Sequence, residues 1–193
     1  MTMLSVLIPT TGRRTEMLAQ VIAAIRLEHP AAQILTVTGL TWGAGLNHLM
    51  TRRALGDYWS CSCDDTVPHP GWLDAAILML EEGLTPASRY LHEDGSPLRP
   101  GTDDAPHRAP VDWCRSFLLT PAIYQEIGPF IDATWYADID YSERLAASGR
   151  PITACDGYTF THLAGERDWL NQDEEDRSRW LYEQSQQRRG VFT

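Results

Sequence analysis

Two adjacent carboxylates, Asp64 and Asp65, close a short run that begins near Tyr58-Trp59, and they are followed by Thr66-Val67-Pro68-His69-Pro70-Gly71. Acidic side chains at the end of a strand, facing a crevice, suit a hard divalent cation. Mg²⁺ or Mn²⁺ takes oxygen ligands and keeps positions open for water or phosphate oxygens. The same residues also make an ordinary Asp-rich turn. Further along, Asp138 and Asp140 stand at the start of a helical run, where the helix dipole favours negative charge. Asp138 could be only a helix cap. His162 follows the last apolar run and could complete a metal site or be a satisfied surface histidine.

The elements that position these groups alternate. Ser5-Val6-Leu7-Ile8 reads as a strand, with Pro9–Arg14 as the loop at its C-terminal end. A helix follows, with Thr15 as its expected N-cap and Leu18, Val21, Ile22 and Ile25 at helical spacing. Ile34–Thr38 is a β-branched strand. This order predicts a parallel α/β sheet with ligands outside the carboxyl ends of its strands. The glycines of Gly39–Asn47 allow close backbone approach to a ligand, and a helix spans about 44–55. Tyr58–Cys63 is the third strand, Gly71–Glu82 a helix, and Ala87–Leu91 a short strand. The polar, Pro/Gly-rich segment 93–110 is either a lid or disordered. Val111–Thr120 is expected as a strand, 122–127 and 139–148 as helices, and Ile152–Phe160 as the last strand. The tail, 166–189, is a charged helix expected to dock through Trp169, Leu170, Trp180 and Leu181.

A length of 193 residues, with 43% hydrophobic and 22% charged side chains, fits one soluble globular domain. No apolar run is long enough to span a bilayer, and the N-terminus lacks a basic segment and breaks at Pro9, so a cytoplasmic location is expected. The net charge of −10 argues against bulk nucleic-acid binding. Every basic side chain other than histidine is Arg, so a phosphate clamp here must be Arg, backbone N–H or metal. Cys61-Ser62-Cys63 is too closely spaced for a zinc knuckle, and the four cysteines read as reduced, buried residues.

Four blocks resemble the inverting family 2 glycosyltransferases with the GT-A fold. They are Ser5–Arg13, the opening strand and loop; Gly43-Ala44-Gly45-Leu46-Asn47; Asp64–Leu73, similar to the Asp-x-Asp motif with its turn and helix; and Gly128–Asp132 with Tyr136–Leu145 and Gly149, similar to the Gly-Gly-Phe-Asp turn and acceptor-site helix. The resemblance implies a single GT-A domain, nucleotide-diphospho-sugar transferase-like, with a mostly parallel central sheet flanked by helices. Residues 1–73 would form its nucleotide-binding half, 74–165 its acceptor half and 166–193 a C-terminal lid. It implies a nucleotide-diphosphate sugar donor, with UDP favoured, and Mn²⁺ or Mg²⁺ held by Asp65 and His162. Asp138 would be the general base. Pro9, Thr10, Thr11, Arg13, Thr38, Gly45, Asn47, Asp64 and Arg167 would contact the donor. Trp113, Tyr136 and Asp140 would meet the acceptor.

The pattern departs from the family in a much shorter stretch from Thr38 to Asn47, which makes it a minimal version of the fold, and at three residues. Cys63 stands where the first Asp of the motif belongs, Thr38 where an Asp holds the base, and Ala137 where a Glu precedes the catalytic Asp. Two alternatives therefore stay open: a degenerate domain that binds a nucleotide or glycan without turnover, and a retaining transferase on the same frame. Protein, glycan, small molecule and modified nucleobase all remain open as acceptors.

Overall fold

A computed structural model describes residues 3–163 and 172–190. Strand β1 (Leu4–Pro9) is buried along its whole length, as a strand covered on both faces must be. Helix α1 (Thr15–Glu28) carries the chain back to β2 (Gln33–Val37), which pairs parallel with β1. Helix α2 (Trp42–Arg52) leads to β3 (Tyr58–Cys61), parallel to β1 on its other side. The short β4 (Thr66–Pro68) and helix α3 (Trp72–Glu81) precede β5 (Thr85–Leu91). Then come β6 (Phe117–Leu119), α4 (Pro121–Ile127), α5 (Ala137–Ala147), β7 (Ile152–His162) and α6 (Gln172–Arg188).

The strands form two sheets. One is ordered β2-β1-β3-β6, with only β6 antiparallel to its neighbour; the other is β4-β7-β5, where β7 runs parallel to β5 and antiparallel to β4. A mixed α/β body with helices around a central sheet was expected, and it is what forms.

Several boundaries differ from the sequence expectation for local reasons. Thr15 is the first residue of α1 rather than its cap; Arg14 holds the cap position without a side-chain hydrogen bond. Helix α2 begins earlier than 44, because Thr41 caps it by accepting from the Ala44 N–H at 3.2 Å. The third strand ends at Cys61, so Asp64 and Asp65 sit in the turn between β3 and β4. The expected strand over 111–120 shrinks to Phe117–Leu119, and 111–116 run as bends. Segment 93–110 is folded. Asp103, only 3% exposed, accepts from the Tyr90 N–H at 3.0 Å and the Arg99 N–H at 2.7 Å.

The tail helix docks through polar groups. Ser185 Oγ donates to Asp140 at 2.5 Å, Tyr182 O–H donates to Glu143 at 2.6 Å, and Arg189 pairs with both acids. Trp180 is 58% exposed, so it does not anchor the helix as expected; Trp169 and Leu170 lie outside the described residues.

The core is aromatic around Trp72, which is 0% exposed. Its indole stacks on Tyr158 at 6.0 Å and meets Phe160 and His29 edge-on at 5.5 and 5.8 Å. Trp72→Ala removes a large side chain from a site bounded by α1, α3 and β7. It is expected to cost about 3–5 kcal/mol of stability, read as a fall in the denaturant midpoint.

Candidate functional site

The acidic turn is held from the β1 end of the sheet. Thr10 Oγ1 donates to Asp64 Oδ2 at 2.5 Å, and the Thr10 N–H is itself tied to the Val37 carbonyl at 2.9 Å. Arg14, on the loop after β1, places its Nη1 on Asp65 and 3.4 Å from Asp64 Oδ1. Both carboxylates are buried, so a nearby guanidinium is what keeps two adjacent negative charges tolerable there.

The antiparallel pairing of β4 with β7 sets Thr66 opposite His162, and the Leu163 N–H donates to the Asp65 carbonyl at 2.8 Å. His162 Nε2 consequently lies 3.6 Å from Asp65 Oδ2. Burial lowers the His162 pKa; Asp65 opposes this, while Arg115, Arg14 and His92 reinforce it. A neutral imidazole beside a carboxylate is a fitting donor pair for a divalent cation. Among the described residues no three His, Cys, Asp or Glu side chains cluster as a metal group. Two protein ligands suit Mg²⁺-type chemistry, in which waters and phosphates fill the other positions.

Asp138 occupies the first turn of α5, just after Tyr136, whose φ of 65° places it in the left-handed region. Its Oδ1 accepts from the Ile139 N–H at 3.0 Å. The carboxylate lies deep among protein atoms, although the residue keeps some surface open. Burial raises its pKa to about 6, against the pull of the hydrogen bonds from Ile139 and its own N–H and of Arg115 and Arg99. A carboxylate tuned towards neutrality has the profile of a working general base.

Cys63 joins the two acidic groups. Burial pushes its thiol pKa up, and the charges of Asp65, Asp64 and Asp138 push it further, with Arg115 opposing. The acidic turn, Asp138 and Arg115 therefore share one neighbourhood, to which His162 is joined through Asp65 and Arg115. Trp113 borders it: the guanidiniums of Arg99 and Arg115 lie 4.7 and 4.8 Å from its ring centroid.

Other sequence candidates fall elsewhere. Asp140 is fully buried and turned to Arg144, Arg189 and Ser185. Tyr136 stacks on Tyr182 of α6 at 5.5 Å. Asn47 closes a loop of the protein's own chain, donating to the Phe130 carbonyl and accepting from the Phe130 N–H, both at 2.9 Å. Gly43 and Gly45 serve backbone packing: a Cβ on Gly43 would meet the Ile131 carbonyl at 2.0 Å, and one on Gly45 would meet Pro9 at 2.8 Å. Pro9 is buried at the end of β1, while Thr11, Arg13 and Thr38 are exposed on the rim beyond it. Arg167 lies outside the described residues. Arg14, Arg99 and Arg115 were missed. The absence of lysine was their one sequence signal, since it leaves the site's cations to arginine.

No family model matches the chain, and no curated protein matches it. Its fold is similar to a solved structure of GalNAc-T7 with UDP, GalNAc and Mn²⁺, at a TM-score of 0.64 and 10% sequence identity. The likeness covers 86% of this chain and 44% of that chain, so the protein spans less than half the neighbour's length. At that identity the similarity is one of fold alone, a GT-A-like mixed α/β architecture. Among the described residues no helix is long and apolar enough to cross a membrane.

Proposed function

We propose that the protein transfers a sugar from a nucleotide-diphosphate donor, UDP-linked by preference, to an acceptor hydroxyl with inversion at the anomeric carbon. One observation carries this reading: His162 lies 3.6 Å from Asp65, and the charges of the acidic turn and of Asp138 both act on the buried Cys63 thiol. The fold neighbour adds support, because it was solved with UDP, GalNAc and Mn²⁺.

In this reading residues 1–73 hold the nucleotide and 74–165 the acceptor. Thr11 offers its backbone groups to the nucleoside, next to Thr10, which is bound to Asp64 and Val37. Asp65 and His162 would hold Mn²⁺ or Mg²⁺, which when bound supplies Lewis-acid neutralisation of charge on the leaving diphosphate. Arg14, already on both carboxylates, offers a guanidinium to a phosphate oxygen from the same side. Asp138 accepts the proton of the acceptor hydroxyl as that oxygen bonds to the anomeric carbon. The bond from that carbon to the diphosphate breaks, and the diphosphate leaves with the electron pair. The tail helix, anchored on Asp140 and Glu143, packs against α5, the helix that carries the base.

A base with a pKa of about 6 must be ionised to work. The rate of transfer at limiting substrate is therefore expected to climb about tenfold per pH unit below 6 and to level off above it. A rate that falls as pH rises through 6 would remove Asp138 from the base role. The anomeric configuration of the product, read by proton NMR, tests inversion directly; a retained configuration would move the protein to the retaining alternative.

Binding without turnover is the second reading, favoured by Cys63 at the place of a motif acid and by the Arg14 contact with both carboxylates. It predicts nucleotide binding with no consumption of any sugar donor.

A further inference from the structure

Within electrostatic reach of Asp138, two arginines, Ser88, Thr102 and Trp113 border a shallow surface dent that encloses no cavity. Arg99 reaches it from the 93–110 segment and Arg115 from the bends before β6. Their guanidiniums stand 4.7 and 4.8 Å from the Trp113 ring centroid, and Arg115 is also 5.2 Å from that of Tyr90. Asp103 fixes the arrangement. It holds the Arg99 backbone N–H at 2.7 Å and lies 3.5 Å from Arg115 Nη1.

Direct ion pairing in this corner is incomplete. Asp103 is the single carboxylate paired with either arginine among the described residues, and it reaches only Arg115. The Arg99 guanidinium pairs with no carboxylate there and rests on the indole face. The Trp113 Nε1–H is buried without a partner among the described residues. In a chain of net charge −10, two guanidiniums set on one indole ring need a reason. Keeping Asp138 ionised is part of it, since both arginines lower its pKa. That needs charge nearby but not an exposed guanidinium on a planar aromatic platform, which is the geometry of carboxylate or phosphate recognition.

We propose that Arg99 and Arg115, set on Trp113, bind a negatively charged group of the acceptor, a carboxylate or phosphate, so that the acceptor's hydroxyl comes to rest on Asp138. The assignment of this corner to the acceptor rests on the transferase reading; the anion site itself does not. The acceptor is thus an acidic sugar, a phosphorylated sugar or another small anion bearing a hydroxyl.

The test is calorimetric titration of the full chain with four probes: UDP with Mn²⁺, inorganic phosphate, glucuronate and the neutral methyl glucoside. Titrations are run on the wild type, Arg99→Ala and Arg99→Lys. Arg99 is exposed, with its guanidinium resting on Trp113, so the variants should fold; their melting points check this. Arg115→Gln provides an independent arm. The expected result is binding of phosphate or glucuronate at least about tenfold tighter than the glucoside. That preference should weaken with salt, fall about tenfold in Arg99→Ala and recover in part in Arg99→Lys, while UDP binding stays as in the wild type. Whether phosphate or glucuronate binds better decides between the two anions. Equal binding of charged and neutral probes, or no binding of either anion, overturns the proposal. Loss of UDP binding in Arg99→Ala also overturns it, by making the pair a donor clamp. If the anions bind as expected and UDP never does, the anion site stands and the transferase reading falls.

Discussion

Asp138→Asn is expected to lower transfer by about 10²–10⁴-fold, the usual worth of a positioned general base, while nucleotide binding stays as in the wild type. The amide keeps the shape of the side chain and can still accept from the Ile139 N–H. What it loses is the ability to hold a proton. The same variant should be at least as stable as the wild type above pH 7. A carboxyl whose folded pKa is raised to about 6, against about 3.9 in the unfolded chain, binds its proton more readily when folded. Its contribution to stability is therefore present at low pH and lost as pH rises through 6. At pH 8 the wild type buries a charge that the variant does not. A thermal melt at pH 8 paired with a transfer assay reads both effects. Full activity in the variant would dismiss Asp138 as the base. Lost activity with a large fall in stability would mean that the residue is structural.

Asp65→Ala is expected to weaken metal-dependent binding of UDP by on the order of a hundredfold or more. Removing a group that merely orients a metal ligand costs about 10–100-fold, and this substitution removes a proposed ligand itself. The change also leaves Arg14 beside Asp64 and frees His162 of the acid 3.6 Å away. Because Asp65 opposes the burial that lowers the His162 pKa, the variant's imidazole should titrate at still lower pH. NMR of the His162 ring gives that second readout without any nucleotide. UDP binding with Mn²⁺ that is unchanged in Asp65→Ala would take the metal away from this turn.

Much of this site was legible because its residues sit where strand ends put them. Asp64 and Asp65 follow a buried run that can only be a central strand, and His162 ends the last one, so β pairing brings Asp65 and His162 together. Asp138 was readable as an acid in the first turn of a helix. What failed were residues whose meaning depends on tertiary approach. Gly43, Gly45 and Asn47 look like a ligand loop, but they are spent on Ile131, Pro9 and Phe130, segments far away in sequence. Asp140 looks like a second site acid two residues from the first, yet helical spacing turns it about 200° away, into the α6 contact. Trp180 suggested an apolar dock, while Ser178, Ser185 and Gln186 make the buried face. Arg99 was hidden in a segment that read as lid or disorder; buried Asp103 and backbone bonds from Leu98 to Tyr90 and from Arg108 to Ala154 hold that segment in place.

The central claim is that this rim holds a nucleotide diphosphate through Asp65 and His162, ready for chemistry at Asp138. It is tested most directly by thermal shift of the wild type and Asp65→Ala with UDP, in Mn²⁺ and in EDTA. A ligand that binds only the folded state raises the melting point by mass action, by the equivalent of about 2.7 kcal/mol at a hundredfold excess over its dissociation constant. The account predicts a rise for the wild type with Mn²⁺ that disappears in EDTA and in Asp65→Ala. No rise with UDP, or the same rise in EDTA and in the variant, would contradict it.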